Sequence, residues 1–324
     1  MTPTEISDTY LHVRRLNPRR DLNAVANLVE AAFELKHDPE GAWILRQMRA
    51  YAQRAQSFPD MIRLSGAPDG FVWEENGKIV GNISIVSYPQ GNSRIILIAN
   101  VAVAPEYRRR GIASALTRHA LRYVRQWPRV QVWLQVRSEN QAAVQMYTQL
   151  GFEFIYALSQ WRYAPARLLP AAERVGFPQS LRVGARKLAD WSAQARWLAI
   201  NYPLQTRWYL NANLDAFSPW SVLMPSRWQN ILEVRHLVLR DNKQLLGTLS
   251  WQKTRLSSDL LWLALPDEPG EDMRADMLIS ALINNEDPVR PLSLEYPRGR
   301  AQLGIQSAGF TLARNLDWMK LRNF

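Results

Sequence analysis

Apolar positions follow two periods along the chain, two in some stretches and 3.6 in others, and the switching between them predicts a mixed α/β fold. Tyr10 to Leu16 reads as extended and ends at the breaker Asn17-Pro18. Asp21 then reads as the cap of a helix whose Val25, Leu28, Val29, Ala32 and Phe33 share one face. A second helical stretch, from about Gly41 to Ala55, carries Trp43, Leu45, Met48 and Tyr51. Two strands follow, Gly70 to Glu74 and Ile79 to Tyr88, and the Asn76-Gly77 between them is the strongest short-range hairpin signal.

Arg94 to Val103 reads as another strand, ending at Pro105, and a basic turn leads into an amphipathic helix from about Gly111 to Gln126. Val130 to Val136 alternates as a strand, and Asn140 to Leu150 forms a short helix. Gly151-Phe152 turns that helix into two extended pieces reaching Tyr163. Residues 1–163 are therefore expected to form one domain. Residues 164–180, rich in proline and without a clean period, read as a linker.

Beyond the linker the pattern returns, so residues 181–324 are expected to form a second domain of the same kind. Asn76-Gly-Lys-Ile-Val-Gly81-Asn-Ile-Ser84 has a counterpart in Asn242-Lys-Gln-Leu-Leu-Gly247-Thr-Leu-Ser250. Gly151-Phe152 answers to Gly309-Phe310, and Trp161 to Trp318. Three anchors in the same order point to an internal duplication.

Composition narrows the function. The 324 residues include no cysteine, which removes disulfides, thiolate metal sites and cysteine nucleophiles, and the four histidines show no paired ligand spacing. No bound metal is expected. The start, MTPTEISDTYLHVRR, lacks the apolar stretch of a secretory signal, so a cytoplasmic location is expected. Ile95 to Ala104 is the longest apolar run, interrupted by Asn100 and far short of the ~20 residues that span a bilayer. The formal charge of +11 favours an anionic partner, yet it is spread evenly over both halves. That spread and the lack of a reading motif disfavour a nucleic-acid binder.

Candidate chemistry concentrates between Asn100 and Phe152. Arg108-Arg109-Arg110-Gly111-Ile112-Ala113-Ser114 falls where a strand has ended and a helix begins. The first helical N–H groups there have no partners and the dipole is positive, so phosphate oxygens bind well. Gly111 lets backbone approach a phosphate, Ala113 and Ser114 are small, and three arginines add planar donors. Further on, Asn140, Ala143 and Tyr147 line one stripe of a helix that Gly151 closes. By themselves these read as a capped helix with a core tyrosine.

Together, the Val101-Ala102-Val103-Ala-Pro105 strand end, the Arg108-x-x-Gly111-x-Ala113 loop and the Asn140…Tyr147…Gly151-Phe152 helix resemble the GNAT superfamily of acetyl-CoA-dependent N-acetyltransferases. The likeness covers about residues 10–163. It implies a strand that splays at a bulge, so that the backbone of Val101, Ala102 and Val103 pairs with the pantetheine arm of acetyl-CoA. It implies that amides from Arg109 to Ser114 hold the pyrophosphate, that Asn140 touches the pantetheine or a nearby loop, and that Tyr147 lies near the thioester sulfur as a general acid. The reaction implied is direct acetyl transfer to a primary amine, the acceptor being unspecified.

Many members of that family place a glutamate on the strand before the phosphate loop, but this chain reads Leu97-Ile98-Ala99-Asn100. Glu74, Glu75, Glu34 and Asp38 are substitutes by position only. The alternative is therefore an acyl-CoA binding or sensing protein without turnover. In the second half the corresponding loop is the acidic Pro266-Asp-Glu-Pro-Gly-Glu-Asp-Met-Arg-Ala-Asp276, and no tyrosine stands at the second motif. This half is expected to be a degenerate copy that binds no CoA. Most of its tryptophans read as core.

Overall fold

The computed structural model describes residues 12–33, 39–57, 68–164, 180–209, 217–220 and 231–322. Two compact units emerge, the first made of Met1–Tyr156 with Asp317–Phe324 and the second of Ala157–Leu316. Glu34, Asp38, Trp228, residues 10 and 11, and nearly all of the expected linker lie outside the described residues.

In the first unit, β1 (Val13–Arg15), α1 (Pro18–Phe33), α2 (Pro39–Ser57), β2 (Asp69–Glu75), β3 (Lys78–Gln90), β4 (Ser93–Val103), α3 (Ile112–Val124), β5 (Val130–Arg137), α4 (Gln141–Gln149) and β6 (Phe152–Tyr163) follow in order. Strands β1 to β4 pair antiparallel in sequence order, and β5 pairs parallel to β4. Residues 317–321, the end of the last strand, flank β5. Trp318 meets Trp133 edge-on at 6.5 Å and Ser138 Oγ donates to Asp317 at 2.7 Å. The expected pair of extended pieces after Gly151 is one continuous strand, β6, because no breaker interrupts Phe152 to Tyr163.

Helix α1 begins three residues before the expected cap at Asp21. Pro18 suits the first helical position, since the N–H it lacks would be unpaired there. Asn17 Oδ1 accepts from Arg19 N at 3.1 Å, while the Asp21 carboxylate reaches back to Asn17 N at 2.7 Å. Asp21 is also gripped by Arg14 at 2.6 Å and Arg20 at 2.9 Å, and is 1% exposed. It is thus a buried anchor tying α1 to β1.

The second unit contains β7 (Leu181–Ala185), α5 (Trp191–Asn201), β8 (Ile231–Asp241), β9 (Gln244–Thr254), β10 (Asp259–Ala264), α6 (Glu271–Glu286), β11 (Leu292–Pro297), α7 (Gln302–Ser307) and the start of β12 (Thr311–Leu321). Its pairings repeat those of the first unit. β7 to β10 are antiparallel in order and β11 is parallel to β10. The matched glycines explain the repeat. A Cβ on Gly81 would lie 2.9 Å from Ile112 of α3, and one on Gly247 would lie 2.4 Å from Leu265 and 3.3 Å from Leu278 of α6. Each strand carries glycine where a helix presses onto it.

Each unit has its own core. Ile83, Ile96, Leu116, Val124, Val132 and Phe152 belong to the first, and Trp161, Leu249, Leu263, Leu278, Leu294 and Phe310 to the second. Trp197, Trp251 and Trp262 pack into the second core as expected, whereas Trp220 is exposed. A polar island sits in the second unit as well. Gln194 donates to Ser250 at 2.9 Å, and His236 Nδ1 lies 2.8 Å from the same hydroxyl. Burial, reinforced by the Arg186 charge, pushes the His236 imidazole down to about 3, so it is neutral in the folded unit.

Burial alone would raise the Asp21 carboxyl, but hydrogen bonds from Arg14, Asn17 N–H and Arg20 outweigh it and hold the group below the usual carboxylate range. A depressed folded-state value contributes stability above the unfolded value, and that contribution is lost as pH falls through the folded one. Asp21→Asn is therefore expected to cost about 2 kcal/mol near neutrality, the scale of hydrogen bonds to a charged group. It is also expected to flatten the fall in stability below about pH 4, where carboxylates titrate. Thermal melts of both proteins between neutral pH and pH 3 measure this, and equal acid limbs would refute it.

Candidate active site

The β4–β5 ladder runs from Arg94↔Val130 to Ile98↔Leu134 and, among the described residues, stops there. On the other side of β4 the register with β3 shifts. Ser84 faces Ala99, Asn82 faces Ala102 and Gly81 faces Val103, so Ile83 opposes both Asn100 and Val101. Two residues against one make a β-bulge. Asn100 accommodates it with φ +49°, a left-handed conformation that asparagine adopts more readily than most residues. Just past the bulge, Val101, Ala102 and Val103 leave the β5 ladder behind, and a slot opens between the two parallel strands.

Polar side chains hold this bulge from below. Asn82 Nδ2 donates to the Asn100 carbonyl at 2.8 Å, and Asn100 Nδ2 donates to Ser84 Oγ at 3.3 Å. Asn82 is fully buried, and its Oδ1 has no hydrogen-bond partner among the described residues. Such an orphan acceptor costs about 1–3 kcal/mol. Neither Asn82 nor this cluster is apparent as a site feature from the sequence. The signal present is a polar residue, Asn100, interrupting the apolar run from Ile95 to Ala104.

At the mouth of the slot lies the start of α3. Gly111, at φ +76°, is its N-cap residue, and no side chain caps it. A Cβ at Gly111 would meet nothing within 4 Å, so the glycine serves backbone conformation and open access. Arg109 is also left-handed, at φ +63°. The three arginines have different jobs. Arg108 Nε donates to the Val103 carbonyl at 3.3 Å and so ties the loop to the strand end. Arg110 stacks on Tyr107 at 4.8 Å, donates to Glu106 O at 3.2 Å and lies 3.8 Å from Glu75. Arg109 is exposed beside the helix start. Ile112 is buried under the loop, while Ala113 and Ser114 are half-buried on the first turn.

On the neighbouring helix, Asn140 acts as N-cap, its Oδ1 accepting from Ala143 N at 3.1 Å. Tyr147 is buried, with its ring edge-on to Phe152 at 5.8 Å. Burial pushes its phenol well above the ordinary value, so the hydroxyl keeps its proton at any physiological pH. Of the substitute carboxylates, Glu74 is held by Arg14 at 2.5 Å and Arg20 at 3.2 Å, and Glu75 faces Arg110. Glu74 is committed to the anchor around Asp21.

The second unit repeats the scaffold without this geometry. The β9–β10 register runs unbroken from Gln252↔Leu260 to Thr248↔Ala264. Helix α6 also starts at a left-handed glycine, Gly270 at φ +90°, but Glu271 and Asp272 occupy its first turn. Arg300 pairs with Glu271 and donates to Pro266 O at 3.3 Å, while Asp272 Oδ1 accepts from Gly304 N at 3.0 Å. A Cβ on Gly304 would lie 1.8 Å from the Asp272 carbonyl, so α7 is pressed directly against the first turn of α6. Carboxylates and a helix fill the place that is open in the first unit.

Comparison with known proteins identifies the family. Residues 24–152 match the Acetyltransferase (GNAT) family. A [Ribosomal protein bS18]-alanine N-acetyltransferase from Escherichia coli strain K12 is 30% identical over 105 residues, covering 31% of this chain and 68% of that protein. The chain belongs to the GNAT acetyltransferase family. A mycothiol acetyltransferase from Amycolatopsis mediterranei is 30% identical over 155 residues, 46% of this chain and 48% of that protein. The chain thus spans about half the length of that relative. At the level of fold, a GCN5-related N-acetyltransferase from Sphaerobacter thermophilus superposes with a TM-score of 0.55 at 15% identity, over 95% of this chain and 94% of that one. A tandem GNAT protein from the clavulanic acid biosynthesis pathway gives a TM-score of 0.50 at 15% identity, over 95% and 98%.

Asn140→Ala is expected to cost about 1 kcal/mol through loss of the cap, and Asn140→Ser close to nothing. Urea denaturation of the two variants tests this. Equal losses would show that the cap is not what Asn140 contributes to stability.

Proposed function

We propose that the first unit is an acetyl-CoA-dependent N-acetyltransferase that moves the acetyl group directly from the thioester to a primary amine. The observation that carries this reading is the slot between β4 and β5, opened by the bulge at Asn100-Val101 and ending at the uncapped start of α3. Backbone groups of Val101 and Val103 that face away from β3 suit an amide-bearing pantetheine chain, with Ala102 paired to Asn82 between them and the Val103 carbonyl shared with Arg108. The unpaired N–H groups from Arg109 to Ser114, with the helix dipole behind them, suit a pyrophosphate.

Tyr147 is the group assigned to the departing sulfur. A phenol pushed above its usual ~10 does not hand its proton outright to a thiolate whose conjugate acid lies near ~8.5. Its hydroxyl instead donates a hydrogen bond to sulfur as negative charge builds there, stabilising the leaving group in place. The amine must attack in its neutral form. With Glu74 held by two arginines and no carboxylate at Asn100, the reading favours an amine that loses its proton to solvent. The names of the related acetyltransferases point to different acceptors, so the amine class is not carried over from them. The second unit, with acids at the equivalent helix start, is assigned no cofactor.

Acetyl-CoA is expected to raise the melting temperature and to release CoA thiol when an amine panel is added. Absence of any shift at saturating acetyl-CoA would overturn the reading, and a shift without thiol release across the panel would favour the acyl-CoA sensor. Tyr147→Phe is expected to bind acetyl-CoA as the unaltered chain does while turnover falls about 10²-fold, the lower range for removing a preorganised hydrogen-bond donor to developing charge. Unchanged turnover would remove Tyr147 from the chemistry.

A further inference from the structure

The chain contains two versions of the same strand pair, and they differ at one register. Both units shift register between their second and third strands next to the matched glycines, at Trp73/Glu74 in one and Leu239/Arg240 in the other. The second unit shifts once more within β8–β9, at Ile231/Glu233, but between the third and fourth strands only the first unit shifts, from β3 to β4. Counting from Gly81 and Gly247, the residue beneath the β3–β4 shift is Asn82 in the first unit and its counterpart in the second is Thr248. Ser84 and Ser250 are matched, but Ser84 bonds Asn82 and Asn100 whereas Ser250 bonds Gln194 and His236.

We propose that Asn82 is the positioning residue that keeps β4 bulged, and that it thereby sets the backbone of Val101–Val103 for the acyl-CoA. The proposal rests on the acetyl-CoA reading above. A bulge removes a carbonyl from the ladder, and the Asn100 carbonyl receives its donor from the Asn82 amide at 2.8 Å. The same residue leaves its Oδ1 buried without a partner among the described residues. Thr248 also leaves its buried Oγ1 without a partner among the described residues, so what sets Asn82 apart is its bond to the bulged carbonyl and not the orphan itself. Thr248, shorter and branched, accompanies a ladder that runs straight from Gln252 to Thr248.

Alternation along β3 places Asn82 on the face opposite Gly81, which packs on α3. Asn82 therefore acts from behind the strand and does not touch the slot. Its influence reaches a ligand only through Asn100 and the backbone beyond it.

Asn82→Thr, which installs the second unit's residue, and Asn82→Leu are the test variants. Leu22→Ala, a core truncation in α1 outside the cluster of Asn82, Ser84 and Asn100, shows how far destabilisation alone moves affinity. Acetyl-CoA dissociation constants are measured by calorimetry well below the melting temperature of every variant, with KM and kcat measured on the amine found by the thiol-release screen. At least a tenfold weaker affinity is expected in both Asn82 variants, with KM rising more than kcat falls, and an unchanged affinity in Leu22→Ala. Asn82→Leu is expected to melt no lower than the unaltered chain. Affinity within twofold in both Asn82 variants overturns the proposal, and so does an equal loss in Leu22→Ala. If the unaltered chain fails to bind acetyl-CoA, the functional reading falls instead, so the two failures are told apart.

Discussion

The candidate site depends on one departure from regular pairing, the point at which β4 stops matching both neighbours. Up to Ile98 it is an ordinary central strand, antiparallel to β3 and parallel to β5. At Asn100 and Val101 it takes two residues to pass one, and from there its β5 side is open. The path of the chain beyond this bulge places the basic loop and the helix start that follow it. The strand runs on to Val103, the chain turns at Pro105, and Arg108 reaches back to the Val103 carbonyl, fixing where α3 begins. A continuous ladder would leave the loop and the uncapped helix start with no slot to end.

The second unit shows what the fold does without that departure. It keeps the strand order, the pairing directions, the glycine under the helix and the left-handed glycine at the helix start, with one α-helix among the described residues, α5, where the first unit has α1 and α2. Those are packing requirements, and a duplicated sequence loses its core if it loses them. It keeps neither the bulge nor the bare helix start. Glu271 and Asp272 place carboxylates at the positive end of α6, where they are favourable, and Arg300 neutralises the cluster. Once no anion has to be bound, a helix start is more stable filled than empty.

The elements are legible in the sequence where a local signal coincides with a packing need. Asn76-Gly77 makes the hairpin visible because both residues adopt positive φ, and Gly151 marks the end of α4 for the same reason. The pattern misplaces the start of α1 at Asp21 because an acid followed by apolar residues looks like a cap, whereas this one is the reaching partner in a box opened by Asn17. The phosphate-loop residues and Tyr147 are legible as a pattern, since glycine spacing and a helix stripe survive in one dimension. Asn82 is not. Its role is a contact with the carbonyl of a residue eighteen positions away across a register shift, and no periodicity in β3 distinguishes it from a polar residue facing water.

Charge separates the two units more sharply than their totals do. The excess of basic over acidic residues is spread evenly along the chain, which is why net charge points to no partner. At the two helix starts the local arrangement is opposite. Arg108, Arg109 and Arg110 precede α3, with no acid in its first turn, while α6 opens on two acids balanced by one arginine from the turn before α7. An anion approaching the first finds a positive dipole and unsatisfied N–H groups, and one approaching the second finds carboxylates already there. Local placement of a few charges at a helix end, and not the overall surplus, is what distinguishes the two helix starts.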